Sequence, residues 1–289
     1  MAAGAAAVAA AAVAAAVDRT TTHLGVGLGW RHELDMSIAR IDGIDFVEVV
    51  AENVDPRRLP RSLLDLHASG KPVVPHGVGL SLCGGDPPDR KRLRHLARLA
   101  ETLDAPLVSE HLAFVRAGGI ESGHLLPPAR TKDMLDVVCA NIELAQATLP
   151  VPLAVENVAA LLEWPNAEMT EAEFIRRVVE RTGVLLLLDV ANLYTNERNF
   201  GFDAREAIEV LPIEQIAYVH IAGGVERAGL YHDTHAHPVA AAALGLLDHL
   251  CARGPVPGVL LEYDRSYPSD THLGAELDLI RRTLERARV

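Results

Sequence analysis

Six side chains able to hold a metal ion stand where short apolar runs end: His76, His111, Glu156, Asp189, His220 and Glu262. One histidine or carboxylate at a strand end is ordinarily structural, held by a hydrogen bond. Three imidazoles and three carboxylates at corresponding ends form a pattern that packing alone does not require. Imidazole mixed with carboxylate suits Fe, Zn or Mn better than Ca or Mg. The loop Asp233-Thr234-His235-Ala236-His237 adds further donors. Its Asp233 and His235 are expected to project toward one point as ligands, with His237 either a ligand or a partner behind them. Asn192, three residues after Asp189, is a poor ligand by itself. Glu110 is expected to orient His111, and Asn157 to hold Glu156 by a hydrogen bond. So many anions in a confined space repel one another and need cations among them. The donors outnumber what one ion can use, so two or three ions with bridging carboxylates are expected.

These residues meet only if the chain brings its strand ends together. The apolar runs cover 24–28, 46–50, 72–75, 107–109, 153–155, 184–188, 216–219 and 259–261. Each has strand length, and most are rich in Val, Ile or Leu, as buried parallel strands are. Amphipathic stretches lie between them at 89–103, 131–148, 174–179, 203–210, 239–252 and 271–287. Thr170 with Glu173 reads as a capping box, and Gly183 and Gly254 stand where helices should stop. Strands alternating with helices imply βαβ units in the α/β class. Eight units predict a (β/α)8 TIM-like barrel, whose strand carboxyl ends share one rim. An open doubly wound sheet is the runner-up. No Pro/Gly/Ser linker divides the chain, so residues 21–289 are expected to form a single domain.

Residues 1–20 are expected to be an Ala-rich disordered or frayed tail. Alanine is too weakly hydrophobic for a membrane span, and no basic residues precede the run as a secretory signal requires. No other run reaches the ~18 apolar residues of a membrane helix. The chain carries 27 Lys and Arg against 39 Asp and Glu, a net charge of −12. That balance disfavours a nucleic-acid partner, which needs a basic face to neutralise phosphates. The cluster Arg90-Lys91-Arg92-Leu93-Arg94 reads as the solvated face of a helix. Three scattered cysteines, Cys83, Cys139 and Cys251, argue for a reducing compartment, so a cytoplasmic location is expected. Cys83 has no placed partner and reads as structural. No P-loop, dinucleotide fingerprint or nucleophile elbow occurs. The Gly77-x-Gly79 and Gly84-Gly85 turns would let a substrate approach the backbone closely.

Read together, Gly25-Val26-Gly27-Leu28, His76-Gly77-Val78-Gly79-Leu80-Ser81-Leu82, Ser109-Glu110-His111-Leu112, Glu156-Asn157, Leu188-Asp189-Val190-x-Asn192, His220-Ile221-Ala222-Gly223, Asp233-Thr234-His235-x-His237-Pro238-Val239 and Leu261-Glu262 resemble the DUF692 family, the multinuclear non-heme iron-dependent oxidative enzymes. The resemblance runs in order over about residues 23–265. It implies a TIM-like barrel holding two or three irons, Fe(II) and Fe(III), with O2 as co-substrate. It also implies oxidative modification of cysteine, or in some members another residue, in a ribosomally made precursor peptide. A small partner protein that recognises the peptide leader is implied as well. By position, His76, His111, Glu156, Asp189, His220, Asp233, His235 and Glu262 match the family's iron ligands, and Asn192 matches a ligand of the more variable third iron. Ala191 stands where the family usually has Asn. His237 and Tyr263 are the candidates for proton transfer. Two other readings compete. One is a Zn- or Mn-dependent hydrolase or isomerase of the xylose isomerase or endonuclease IV type. The other is a non-catalytic, metal-dependent peptide-binding scaffold.

Overall fold

Strands form where the apolar runs predict them. They are β1 (Gly25–Trp30), β2 (Phe46–Val50), β3 (Val73–Gly77), β4 (Val108–His111), β5 (Leu153–Glu156), β6 (Leu185–Asp189), β7 (Ile216–Ile221) and β8 (Gly258–Leu261). The computed structural model describes residues 23–286, and the expected tail over 1–20 lies outside them. The eight strands close into one parallel barrel, with β8 pairing back onto β1. The open doubly wound alternative is thereby excluded.

Successive strand side chains alternate between faces, so residues two apart share the barrel interior. One interior layer is apolar: Phe46, Val74, Leu107, Ala154, Leu187, Tyr218 and Leu260 pack on one another. Two residues further along each strand stand Glu48, His76, Ser109, Glu156, Asp189, His220 and Glu262. The period of two therefore stacks polar groups on an apolar plug, within β2 to β7 and just past the end of β8. The larger core fills the space between sheet and helices.

The helices are set by local signals. Thr170 and Glu173 form the expected capping box at the start of Glu171–Thr182, and Gly183 ends that helix in the left-handed region at φ 64°. Gly254 follows Ala241–Arg253 in extended backbone instead, so that helix stops without a left-handed turn. In Arg90–Thr102, capped by Asp89, Leu93 faces the core while Arg90, Lys91 and Arg94 lie in solvent. Two hairpins were not anticipated: Phe114–Ala117 with Ile120–Leu126, and Gly224–Arg227 with Leu230–Asp233. Among the described residues no helix is long and apolar enough to cross a membrane.

Candidate metal centre

Sheet register begins the assembly. His111 lies opposite Glu156 between β4 and β5, and Asp189 lies opposite His220 between β6 and β7. Four sets of donors result: His76, His111 and Glu156; Glu156, Asp189 and His220; Asp189, Asp233 and His235; and His235, Glu262 and Asp264. Glu156 belongs to the first two, Asp189 to the second and third, and His235 to the last two. The sets therefore form one continuous chain across the barrel mouth. His76 and His111 point Nε2 at Glu156 Oε2 from 3.4 and 3.2 Å, while His220 Nδ1 lies 3.1 Å from Glu156 Oε1 and 3.3 Å from Glu262 Oε2.

These distances fit metal ions. Donors about 2.1 Å from a shared tetrahedral or octahedral centre lie about 3.0–3.4 Å apart. Glu156 Oε2, Asp189 Oδ2, Asn192 Oδ1 and Asp233 Oδ1 are moreover buried with no hydrogen-bond partner. A buried oxygen left without a donor is costly, and a coordinated cation satisfies it. Several such oxygens in one cluster could be satisfied together by bound ions.

Asp189 illustrates how the chain frees a donor. Its Oδ1 caps the helix Val190–Phe200 by accepting from Ala191 N at 2.6 Å and Asn192 N at 3.0 Å, which leaves Oδ2 for the site. Asn157 does not hold Glu156 as expected. It pairs with the Asp189 backbone, donating to O at 3.0 Å and accepting from N at 2.8 Å, because its side chain lies alongside β6. Glu110 accepts from the His111, Gly79 and Leu80 amides, so it ties the turn after β3 to β4. A Cβ on Gly77 would sit 2.7 Å from Glu110 Oε2, so this glycine makes room for that clamp. Asn192 donates to Asn157 O and keeps Oδ1 for the site.

Tyr263 and His237 lie outside the four sets. Tyr263 is buried, and its hydroxyl donates to Glu276 in the outer helix layer at 2.7 Å. His237 Nδ1 meets Thr234 Oγ1 at 2.8 Å. Three residues outside the ligand set assigned from sequence also belong to the cluster. Glu48 contacts His220, Asp264 joins the last donor set, and buried Arg31 pairs with Glu262 Oε1 at 2.7 Å and Asp264 Oδ1 at 2.6 Å.

Charge explains the protonation of the cluster. Burial pushes Glu156 up, but the His111, His220 and His76 imidazoles together outweigh it and hold its carboxyl at about 2. Burial pushes His111 down, yet Glu156 and Glu110 raise it to about 9. Burial, then Asp233 and Glu156, raise Asp189 to about 7. In the metal-free protein His111 therefore keeps a proton that the unfolded chain loses near its ordinary 6.5, and Asp189 keeps one lost near 3.8. Both contributions fall as pH rises, Asp189 from about 4 to 7 and His111 from about 6.5 to 9. Urea unfolding in the presence of chelator is expected to show lower stability at pH 9 than at pH 6. Equal or greater stability at pH 9 contradicts this charge assignment. Metal displaces the same protons, so its affinity is expected to rise over that range.

The ligand loop depends on one close backbone approach. A Cβ on Gly223 would lie 2.0 Å from His237 O and 2.3 Å from Pro238 O. Backbone cannot yield as a side-chain tip does. Gly223→Ala is expected to cost about 1–3 kcal/mol and to displace Asp233 and His235. Thermal melts with and without Zn2+ check this: the variant should gain less from Zn2+ than the native chain does.

A cavity of about 690 Å³ opens above the cluster, lined by His111, Glu156, Asn192, Asp233, His235 and Asp264 and flanked by the first hairpin. Burial, then Glu110, push the Cys83 thiol up, and it is sealed in the core, which fits its structural reading.

A family model described as "RiPP precursor modification enzyme MbnB/TglH/ChrH" matches residues 25–285. A protein of Streptomyces avermitilis described as "UPF0276 protein" is 57% identical over 93% of this chain, and the chain spans only 57% of that relative's length. A relative in Rhizorhabdus wittichii with the same description is 38% identical, covering 89% of this chain and 93% of its own. Among solved structures, L-ribulose 3-epimerase is similar at TM-score 0.57 and 21% identity, covering 91% of this chain and 95% of its own. Endonuclease IV from Thermus thermophilus is similar at TM-score 0.57 and 18% identity, covering 91% and 99%. At such identities these structures speak to the fold alone.

Proposed function

The chain belongs to the RiPP precursor modification enzyme family MbnB/TglH/ChrH, and on that premise we propose that it uses O2 and two or three non-heme irons to oxidise a cysteine, or another residue, of a ribosomally made precursor peptide. The observation that carries the reading is the shared carboxylate: Glu156 faces His76 and His111 through one oxygen and His220 through the other. That bridge supports a centre of more than one ion, and the family match favours peptide modification over a multi-ion hydrolase.

His76, His111 and Glu156 would hold one ion. Glu156, Asp189, His220 and Glu262 would hold a second. Asn192, Asp233 and His235 would hold a third, with Asp189 reaching toward it. When bound, the irons supply electron transfer, O2 chemistry and a soft-thiolate binding position. The chain supplies the frame. Arg31 occupies Glu262 Oε1 and so turns Oε2 toward His220 and His235. Asn157 and the helix cap fix Asp189, and the Asp233–His235 loop is anchored by His235 O accepting from Asp264 N at 2.8 Å. The cavity of about 690 Å³ would receive the reacting side chain of the peptide and is walled partly by the hairpin. A small leader-recognising partner protein belongs to this proposal. So does a reducing, cytoplasmic setting, which agrees with Cys83 and Cys139 buried outside any disulfide.

The test pairs anaerobically purified, iron-reconstituted protein with cysteine-bearing peptides drawn from the short reading frames that neighbour its gene. O2 uptake matched by a mass change at the cysteine is expected. Zinc at full occupancy with cleavage of abasic DNA or turnover of a sugar, and no O2 uptake, overturns the reading.

A further inference from the structure

Behind two of the ligands lies a polar path that no step above uses. His76 Nδ1 lies 2.8 Å from Ser109 Oγ, which lies 2.7 Å from the Tyr218 hydroxyl. That hydroxyl donates to Glu48 Oε2 at 2.5 Å, and the same oxygen lies 2.8 Å from His220 Nε2. The path therefore joins His76 to His220 through Ser109, Tyr218 and Glu48. Glu48, Ser109, Tyr218 and His220 have no exposed surface, and His76 is 2% exposed, so water does not compete along it.

We propose that Glu48, Tyr218 and Ser109 are positioning residues that fix opposite ring nitrogens of His76 and His220 toward the metals, Nε2 of His76 and Nδ1 of His220. The direction of every hydrogen follows from the donor inventory. Tyr218 has one hydrogen and gives it to Glu48. Ser109 must then donate to the Tyr218 oxygen, which uses its only hydrogen. Its remaining capacity toward His76 is as an acceptor, so His76 carries hydrogen on Nδ1 and presents a bare Nε2. That Nε2 is the atom facing Glu156 Oε2 at 3.4 Å. At the other end a carboxylate oxygen can only accept, so His220 carries hydrogen on Nε2. Its Nδ1 is left for the site, 3.1 Å from Glu156 Oε1 and 3.3 Å from Glu262 Oε2. One buried carboxylate thus sets the metal-facing atom of two ligands in different donor sets. Partners of this kind fix the ring tautomer of a ligating histidine, and losing one typically lowers metal affinity about 10–100-fold.

The inference rests on the metal-binding part of the proposed function and not on its oxidative chemistry. It is tested with Zn2+ and Co2+ alone. In Zn2+-loaded protein labelled with 15N-histidine, nitrogen shifts are expected to show His76 bound through Nε2 with hydrogen on Nδ1, and His220 the reverse. Tyr218→Phe keeps the ring and breaks the path between Glu48 and Ser109. It is expected to disturb the His76 resonances, leave those of His220 in place, and weaken Co2+ binding, followed by absorption, about tenfold. Ser109→Ala should act in the same direction, and unchanged melting of either variant establishes that it folds. Both rings bound through the same type of nitrogen, or a folded Tyr218→Phe with native His76 shifts and native Co2+ affinity, overturns the inference. A native chain that takes up neither ion overturns the metal reading itself, so the two failures are distinguishable.

Discussion

Glu156→Gln is expected to lower peptide turnover by more than about 100-fold and to remove more than one metal ion per chain. The bound follows from ligating histidines, where removal of a mere supporting partner already costs about 10–100-fold. Glu156 is not a supporting partner. Its two oxygens face three imidazoles, and Oε2 has no other contact to satisfy it. Glutamine keeps the shape but replaces one acceptor with an NH2 group, which cannot bind a cation and would confront either His220 Nδ1 or the His76 and His111 Nε2 atoms. Metal analysis after anaerobic reconstitution reads the result directly. A variant that keeps the native metal content removes Glu156 from its bridging place, whatever its turnover.

Arg31→Met is expected to destabilise the metal-free protein by about 3–5 kcal/mol, the usual cost of stranding one charge of a buried pair. Arg31 is 7% exposed and so is the Glu262 side chain, while the Asp264 side chain is 42% exposed. Water can take over part of the solvation of Asp264, so most of the cost falls on Glu262 and the lower end of the range is the better expectation. His220 and His235 face the other oxygen of Glu262 but cannot replace the contact at Oε1. A loss near 3 kcal/mol corresponds to a fall of roughly 6–12 °C in melting temperature for a chain of this size. Bound metal supplies positive charge to the same carboxylates, so the deficit should shrink when Zn2+ is added. A metal-free variant that melts with the native chain would show that Arg31 merely lies near the cluster.

Much of this was legible because the barrel imposes two regularities on sequence. Apolar runs of strand length locate β1 to β8, and parallel closure turns "end of run" into "same rim" for His76, His111, Glu156, Asp189, His220 and Glu262. What escaped had weaker local signals. Glu48 sits inside Phe46–Val50 rather than at its end, so it falls outside the set of strand-end ligands, although a carboxylate within an apolar run needs a buried partner. The period of two relates it to Phe46 as His220 relates to Tyr218. Arg31 and Asp264 lie just beyond β1 and β8, and nothing in their spacing tells that closure of the ring brings residues 233 positions apart within 2.6 Å. The hairpins that turn at Gly118-Gly119 and Ala228-Gly229 include strands of mixed residues, Ile-Glu-Ser-Gly-His-Leu-Leu and Gly-Val-Glu-Arg, that present no apolar run. Tyr263 illustrates the converse. It follows a ligand in sequence, and the same alternation that turns Glu262 inward sends Tyr263 to the helix layer.

If strand-end imidazoles and carboxylates share ions across Glu156, diffraction from iron-reconstituted crystals, recorded on both sides of the iron absorption edge, locates those ions. Two or three anomalous peaks inside the barrel mouth are expected, one flanked by His76, His111 and Glu156 and the next by Glu156, Asp189, His220 and Glu262. A mouth without an iron peak, or iron bound only at a distance from Glu156, would contradict the account.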